Sequence, residues 1–341
     1  MEKYLMPKKY THNIQLLLLL FSFVECSPKM NINSWLPTEC APAKYPMTII
    51  KGDLIDGVGK HTAIPDGKIL NNGWGELGST FIMNETNTTV PAKLDIEWFS
   101  YAENKFYKGT FDLPADTIAQ YFKEGFISPD TKTKQEFDCI KIGVAPGGYI
   151  SVWVSGENIT KEIITLQAKE DNYDWNVFFD NPDISREKYV ESTLREALTD
   201  SVYQTFKTQK IIPDFWQRYN EKFNWKPQVF GLLNAYDILI KTFNGEQEFF
   251  FDQTKSQSKR AVIRSFELHW TATSNKKYMA NTTFDEDEIY AAFKKISDTF
   301  PDEPIQLKVE ISNTDFSLRI SLVNSRQCYE LKKCITQVYS N

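Results

Sequence analysis

Histidine is scarce in this chain of 341 residues and occurs only as His12, His61 and His269. A zinc site built from histidine is nearly excluded, because we expect His12 to leave with a cleaved signal segment. His61 lies in a stretch read as a loop, and His269 alternates with Glu267 on the polar face of a strand. The Gly-x-Ser-x-Gly motif of serine hydrolases is absent too, so the sequence predicts no catalytic residue, metal or cofactor.

Excess positive charge is also lacking. The chain has 39 lysine and arginine residues against 45 aspartate and glutamate residues, a net charge of -6. Nucleic-acid binding needs a concentrated basic surface that releases counterions, and tight electrostatic binding to anionic lipid heads needs basic clusters. The charge balance therefore argues against both classes of partner.

Two short segments could belong to an active site, but the sequence favours a structural role for both. Residues 143–148 read Gly-Val-Ala-Pro-Gly-Gly, which lacks the Gly-Lys-Ser/Thr ending of a phosphate loop and runs into a strand rather than a helix. This string predicts a hairpin loop. Asp95 and Glu97 share one strand face, whereas a glycosidase needs two carboxylates on opposite sides of a sugar. We interpret them as part of a polar sheet face.

One long apolar run is present, from Ile14 to Val24, and lysines precede it at positions 3, 8 and 9. It is too short to span a bilayer, which takes about 20 apolar residues. A basic start, a short apolar run and Cys26 at its end are typical of a lipoprotein export signal. We predict a signal peptide over residues 1–25, lipidation of Cys26 and a tether over residues 26–45.

Glu25 departs from this pattern, because the residue before a lipidated cysteine is usually small. The alternative is an ordinary cleaved secretory peptide in which Cys26 has no special role. The preferred prediction places the protein on the periplasmic face of the outer membrane, held by an N-terminal lipid anchor. The alternative places it free in the periplasm or outside the cell.

Four cysteines remain if Cys26 carries lipid: Cys40, Cys139, Cys328 and Cys334. An even number permits disulfides in an oxidising compartment, and four cysteines allow three pairings. The spacing of Cys328 and Cys334 suits a local disulfide, provided that the segment between them is not one continuous helix. That spacing does not match a metal site.

The composition predicts a globular body rich in sheet. A hydrophobic fraction of 41% and a charged fraction of 25% are typical of a chain with a real core. The aromatic fraction is 14%, which favours sheets because aromatic side chains pack well on a pleated face.

One strand pattern occurs twice. Residues 94–100 (Leu-Asp-Ile-Glu-Trp-Phe-Ser) and 266–272 (Phe-Glu-Leu-His-Trp-Thr-Ala) alternate apolar and polar residues, with Trp98 and Trp270 in matching places. Each is followed by a second strand, a helix with an acidic start and two more alternating segments, at an offset of about 170 residues. We predict an α+β fold with two related antiparallel-sheet halves (strand-strand-helix-strand-strand), over residues 46–170 and 227–341. The alternative is chance agreement between two amphipathic sheets.

Residues 171–226 read as a helical connector between the halves. Ser185 can cap a helix whose apolar stripe is Val190, Leu194, Ala197 and Phe206. A second helix is predicted from Pro213, with aromatic residues Phe215, Trp216, Tyr219 and Phe223. Trp216, Tyr219 and Trp225 could form a sugar-stacking or partner-binding surface, although rings at helical spacing are more often core residues. We expect Trp216, Tyr219 and Phe223 to pack the connector between the halves.

Several unusual strings carry a family resemblance. They are Gly-Trp-Gly at 73–75, Leu-Asp-Ile-Glu-Trp at 94–98, Lys-Ile-Gly-Val-Ala-Pro-Gly-Gly at 141–148, Val-Trp-Val-Ser-Gly at 152–156 and the connector string at 213–227. With these strings the chain resembles an uncharacterised lipoprotein family of Gram-negative bacteria, known as domain of unknown function 2931. The resemblance implies an exported, often lipid-anchored protein, and it supplies no catalytic residues because none is assigned in the family.

A large folded body, an export signal and no assembled catalytic set favour a periplasmic binding protein without catalysis and with an unknown protein partner. One specific form of this hypothesis, based on the style of the family, is an immunity-type lipoprotein that blocks a toxic protein effector. The alternatives are an envelope hydrolase using acidic residues and a glycan-binding module using exposed rings. A cleft lined by carboxylates would favour the hydrolase. Coplanar exposed rings would favour the glycan-binding module, and a flat or convex polar surface would favour the protein-binding role.

Overall fold

β-Strands dominate the computed structural model, which describes residues 34–81, 89–208, 213–231, 233–251, 257–301, 303–312, 314 and 317–340. In chain order the strands are β1 (Leu36–Cys40), β2 (Met47–Asp56), β3 (His61–Ala63), β4 (Pro91–Ser100), β5 (Lys105–Asp112), β6 (Phe126–Ile127), β7 (Lys134–Gln135), β8 (Cys139–Ala145), β9 (Tyr149–Gly156), β10 (Ile159–Gln167), β11 (Lys169–Asp171), β12 (Lys222–Phe230), β13 (Leu233–Thr242), β14 (Gln247–Phe251), β15 (Ser258–Ala261), β16 (Ile263–Ala272), β17 (Lys277–Thr283), β18 (Ile305–Ile311), β19 (Leu318–Val323), β20 (Cys328–Glu330) and β21 (Ile335–Ser340).

The helices are α1 (Ala115–Glu124), α2 (Trp175–Phe178), α3 (Arg186–Ala197), α4 (Asp200–Thr208) and α5 (Glu286–Thr299), with 3-10 helices over Pro146–Gly148 and Pro213–Asn220. None of the helices in the described ranges is both long enough and apolar enough to cross a membrane. The predicted α+β class agrees with this set of elements.

Within the described residues, the strands form three large sheets and a small ribbon of β6 and β7. The nine-stranded sheet has the order β1-β8-β9-β10-β14-β13-β16-β17-β21. The five-stranded sheets have the orders β11-β5-β4-β2-β3 and β15-β12-β18-β19-β20. We call β1–β11 with α1 the first half, and β12–β21 with α5 the second half. The pairs β1–β8 and β12–β18 are parallel, so the halves are not purely antiparallel as predicted.

The first half encloses one hydrophobic core between its five-stranded sheet and strands β1, β8, β9 and β10. Leu94 and Trp98 on β4 share this core with Ile140 on β8, and Ile118 and Phe122 of α1 join them. The alternation of apolar residues along each strand explains this packing, because every second side chain faces inward. Burial of these apolar groups contributes more to the stability of the fold than any other interaction.

The second half is built on another core, which also takes in first-half residues such as Trp74, Tyr149 and Trp153. Trp225 on β12 and Leu307 on β18 pack with Leu268 and Trp270 on β16, and Phe293 of α5 belongs to the same cluster. The nine-stranded sheet joins the halves where β10 pairs with β14 through one residue pair, Thr160 with Gln247. We call this region the joint.

The connector helices build a third, smaller core on the first half. Phe99 on β4 and Phe106 on β5 are buried beneath Val190 and Leu194 of α3 and Tyr203 of α4. The helices therefore cover part of the outer face of the first five-stranded sheet.

The predicted cap at Ser185 is confirmed, and two further features follow the same local chemistry. Ser185 caps α3 by accepting a hydrogen bond from the Lys188 backbone N at 3.3 Å. Gly125 follows α1 with a φ of 60°, as a helix C-cap requires. The Asn244-Gly245 turn joins β13 to β14, and Gly245 has a φ of 86°. Capping and turn chemistry are local properties, which is why the sequence predicts them well.

Several predicted boundaries are wrong. The helix predicted from Pro213 ends at Asn220, and Phe223 lies in β12, whose burial alternates with a period of two. The connector therefore ends before Lys222 rather than at residue 226. The helix predicted from Ser185 to Phe206 is interrupted at Leu198, which leaves helical geometry and turns into the third core.

Two further corrections concern single segments. The predicted tether over 26–45 is shorter, because Leu36–Cys40 forms β1 and is mostly buried beside β8. His61 begins the short strand β3 instead of lying in a loop.

Candidate functional site

A polar face lies on the second half of the nine-stranded sheet. Along β16 the outward side chains are Ser265, Glu267, His269 and Thr271, and they alternate with buried core residues. Since paired residues point to the same side of a sheet, the strand register adds residues from three neighbouring strands. Leu239 on β13, opposite Glu267, is buried in the core of the first half. The more exposed residues include Asp237 and Lys241 on β13, Met279, Asn281 and Thr283 on β17, and Ile335, Gln337 and Tyr339 on β21. We call this set the open face.

His269 occupies the middle of the open face between two carboxylates. Its Nδ1 lies 3.1 Å from Asp237 Oδ1, and its Nε2 lies 3.2 Å from Glu267 Oε1. A protonated imidazole donates from both nitrogens, so it can bridge the two carboxylates at once. The His269 side chain is 44% exposed, so the cluster remains accessible to a partner.

A cavity of about 310 Å³ borders the open face near Lys241 and Glu267. Glu76 lines it and binds Lys241 Nζ at 3.1 Å and Arg264 Nη2 at 2.5 Å. Burial opposes ionisation of Glu76, but Arg264 and Lys241 outweigh it and hold the pKa of its carboxyl below the usual value. Glu76 thus stays ionised and ties a first-half loop to two strands of the second half.

The loop that carries Glu76 approaches the second half through glycine. Gly75 has a φ of 75°, and a Cβ on it would lie 2.5 Å from the Gly245 Cα, which no side chain tolerates. The buried Lys141 Nζ donates to the Gly75 carbonyl, while the Gly75 N donates to Cys40 Sγ at 3.3 Å. Burial lowers the pKa of the Lys141 ammonium. The Gly-Trp-Gly string is therefore explained by close packing between the halves.

The string at 94–98 packs in the core of the first half, but the strings at 141–148, 152–156 and 213–227 meet beside the Gly-Trp-Gly loop. The Trp74 ring lies 5.1 Å from Trp153 and 5.8 Å from Trp216, measured between ring centroids. Trp153 also donates from Nε1 to the Asn244 carbonyl oxygen at 2.9 Å. Aromatic contacts of this kind stabilise a core beyond the area they bury. These last three strings therefore build the contact between the halves rather than an exposed site.

Two acidic side chains come together at the joint. Asn244 Nδ2 donates to Glu162 Oε2 at 3.0 Å and to Glu246 Oε2 at 3.1 Å. Ser151 Oγ donates to Glu162 Oε1 at 2.5 Å. Burial raises the pKa of Glu162 despite the Ser151 hydrogen bond, and the nearby Glu246 raises it further. Lys222 Nζ lies 3.8 Å from Glu246 and partly offsets the negative charge.

The three rings considered as a binding surface are all in the core. Trp216 is 3%, Tyr219 6% and Trp225 0% exposed, so none presents a face to a ligand. That prediction is corrected, because these rings fill the second core instead. The rings of the 3-10 helix contact both halves: Trp216 meets Tyr45 at 5.5 Å, and Tyr219 stacks on Phe243 at 5.5 Å.

The predicted disulfide is not formed, since Cys328 and Cys334 are both free thiols. Cys328 begins β20 at the edge of a five-stranded sheet, whereas Cys334 immediately precedes β21 of the nine-stranded sheet. Between the two cysteines the chain passes from the five-stranded sheet to the nine-stranded sheet. This change of sheet explains why the short spacing does not produce a disulfide. Cys26, the predicted lipidation site, lies outside the described residues.

Asp95 and Glu97 lie on the same sheet face, with a threonine and a lysine as partners, and Glu97 is buried. Asp95 accepts from Thr110 Oγ1 at 2.7 Å, and Glu97 lies 3.5 Å from Lys108 Nζ. They do not face each other across a cleft. Across the described ranges, no group of three or more histidine, cysteine, aspartate or glutamate side chains is placed to hold a metal.

Sequence reasoning missed the cluster of Glu76, Lys241 and Arg264. The glutamate is separated from the two basic residues by more than a hundred positions, and only the Gly-Trp-Gly string before it hinted at a special loop. It also placed His269 on a polar strand face without its neighbour Asp237, which comes from β13.

No curated protein and no solved structure matches this chain. A family model described as "Protein of unknown function (DUF2931)" matches residues 22–227, which is more than half of the chain. The matched region contains the Gly-Trp-Gly loop, the Trp153 strand and the 3-10 helix that together form the contact between the halves. The chain therefore belongs to the DUF2931 family.

Proposed function

We propose that this protein is exported and binds another protein through the open face, without catalysis. The observation that supports the proposal is the form of that face. Four adjacent strands, each about 4.8 Å from the next, present a platform roughly 15 Å across. Charged, polar and apolar side chains stand side by side on it, which is typical of protein interfaces.

The charges around the neighbouring cavity favour the same role. Glu76 is already paired with Lys241 and Arg264, so these groups satisfy one another and are not aimed at a small ligand. His269, Asp237 and Glu267 project from the centre of the platform instead. We expect them to supply the polar contacts that fix the orientation of a bound protein.

The partner that we propose is a protein effector that reaches the periplasm and is blocked in the manner of an immunity protein. A crosslinking pull-down from native membranes tests this. Glu267→Lys reverses a charge in the middle of the open face and should reduce recovery of the partner roughly tenfold or more.

Asp95→Lys is the matched control. Asp95 lies three residues before Trp98, as Glu267 lies three residues before Trp270, and it is on the first half. The control should retain the partner. Equal recovery with both variants would contradict a role for the open face.

We further propose that Cys26 is the mature N-terminus and holds the protein at the periplasmic face of the outer membrane. The support is the apolar run that ends at Cys26. Cys26→Ala should release the protein, because two or more acyl chains anchor a protein stably. Mass spectrometry of the mature protein provides the check, and an unacylated chain beginning at another residue would disprove the anchor.

We also propose that the halves are copies of one unit. The order β3-β2-β4-β5-β11 in the first half parallels β14-β13-β16-β17-β21 in the second, and β1-β8-β9-β10 parallels β12-β18-β19-β20. Trp98 stacks on Tyr107 at 5.4 Å, and Trp270 stacks on Tyr278 at 5.3 Å. The shared strand order and these matching ring pairs support a duplication.

A further inference from the structure

Strand β21 differs from every other edge of the three large sheets in the described residues. The strands β3 and β20 have three residues each, and β11 consists of Lys169, Glu170 and Asp171. The strand β15 carries Lys259 and Arg260, and β1 is mostly buried. Short length, charge and covering are the usual ways in which proteins protect a sheet edge from pairing with another chain.

The β21 strand has none of these protections. It is six residues long, contains no charged residue and no proline, and is paired on one side with β17. Within the described part of the chain, no strand pairs with its other side. Ile335 is 70%, Val338 38% and Tyr339 45% exposed, so three of the large exposed hydrophobic residues lie on this one strand.

We propose that β21 pairs antiparallel with β21 of a second copy of this chain, about a twofold axis at Gln337. In this register Ile335 lies opposite Tyr339 of the other copy, Thr336 lies opposite Val338, and Gln337 lies opposite Gln337. Directly opposed residues share a sheet face, so each exposed isoleucine is covered by a tyrosine. Pairs of aromatic and β-branched residues are among those that stabilise neighbouring strands.

A second copy fits this edge because the strand is compatible with itself. In a twofold-symmetric contact the same strand lies on both sides of the axis, so a charged residue near the axis would face an identical charge. The β21 strand carries no charge, although a quarter of the whole chain is charged. Tyr339 Oη donates to Gln337 Oε1 at 2.7 Å, which leaves the Gln337 amide nitrogen able to donate across the axis.

The pairing also continues the existing architecture. Each nine-stranded sheet would extend into that of the other copy, and the two open faces would lie on the same side of one joined sheet. A single strand of six residues buries much less than the roughly 800 Å² per partner of a standard interface. We therefore expect a dimer that dissociates in the micromolar range.

Sedimentation equilibrium of the full chain in mild detergent, over a wide concentration range, tests the proposal. The wild-type protein should shift from monomer to dimer as concentration rises. Ile335→Lys should weaken the dimer roughly tenfold or more, because it removes the contact with Tyr339 and places a lysine on the edge. Ile127→Lys on β6 is the matched control, since Ile127 is also exposed, at 56%, and it should leave dimerisation unchanged.

Cysteine crosslinking tests the register. Gln337→Cys, made with Cys328→Ser, places two thiols directly across the axis, where the Cα separation of an antiparallel pair suits a disulfide. It should form a covalent dimer more readily than Val338→Cys in the same background, because residue 338 is not opposite itself. A protein that stays monomeric, or a dimer that Ile335→Lys leaves intact, would overturn the proposal. So would a strand of another protein captured at β21 in place of a second copy.

Discussion

The two halves share a strand order but differ in what covers their outer faces. In the first half, Phe99 follows Trp98 and is buried under the connector helices with Phe106. In the second half, Thr271 follows Trp270 and stays on the open face beside His269. The residue that follows the tryptophan, Phe99 in the first half and Thr271 in the second, thus differs with the surroundings of the sheet face. Phe99 is covered by helices, and Thr271 is not.

The difference also explains where polar chemistry is concentrated. The first-half face carries Asp95, which lies near Lys51 and Thr110, and the buried Glu97, whose pKa is raised by burial despite the nearby Lys108. The open face of the second half instead holds His269 between two carboxylates. Helices α3 and α4 pack on the first half, whereas no helix in the described residues packs in the same way on the equivalent surface of the second half.

The largest expected effect tests whether the halves are equivalent. Trp98→Ala and Trp270→Ala should each lower the free energy of unfolding by about 3–5 kcal/mol, because each leaves a large cavity in a core. Both indoles are nearly inaccessible, at 0% and 3% exposure. Urea denaturation followed by circular dichroism measures the cost. A cost below about 1 kcal/mol at either position would break the equivalence.

A smaller effect is expected when the cover of the first half is loosened. Arg186 donates to Asn104 Oδ1 at 2.6 Å and to the Asn104 carbonyl at 2.7 Å, and its guanidinium lies 5.1 Å from the rings of Phe106 and Trp175. Arg186→Ala should cost about 1–3 kcal/mol. Hydrogen exchange should show faster exchange in α3, while β16 and β17 stay protected.

Arg319→Ala provides the control for this prediction. Arg319 pairs with Glu330 at 2.9 Å but is 68% exposed, so its loss should leave the stability of the fold essentially unchanged. If α3 exchanges at the wild-type rate in the Arg186 variant, the cover does not depend on this residue.

The smallest effect concerns the joint, where the two halves meet. The pKa of Glu162 is raised above its ordinary value of 4.5, so the folded state holds a proton more tightly than the unfolded chain. Glu162 therefore adds to the stability of the folded state below pH 4.5, and this stabilisation is lost as the pH rises through the raised pKa. Glu162→Gln should remove this pH dependence of stability. Melting temperatures of both proteins from pH 4 to 8 give the comparison, and parallel curves would contradict it.

The sequence predicted elements whose signals are local. The strand around Trp98 alternates apolar and polar residues, and Ser185 carries a capping side chain next to its helix, so both were located correctly. Phe223 was assigned to a helix because it falls seven residues after Trp216, a spacing that also lies on one helical stripe. Strand pairing determines the structure instead: Phe223 pairs with Arg260 on β15, and from Trp225 onward β12 pairs with β18, some eighty residues away.

The candidate site depends on contacts that no short pattern encodes. His269 meets Asp237 only because β13 and β16 are neighbours in a particular register. Glu76 reaches Lys241 and Arg264 only because Gly75 and Gly245 allow two backbones to approach closely. The Cys328–Cys334 disulfide was predicted from spacing alone, which ignored that the chain changes sheets between the two residues.

Because Lys141 is buried, its reaction with a lysine-modifying reagent would report when the surrounding contact opens. Acylating reagents attack only the neutral amine that they can reach, and Lys141 is 1% exposed with its ammonium held against the Gly75 carbonyl. Surface lysines of the intact protein would therefore be labelled first, while Lys141 would be labelled only when its contact with the Gly75 loop opens. The time course of its labelling, read by peptide mass mapping, would give the rate at which this contact opens and closes.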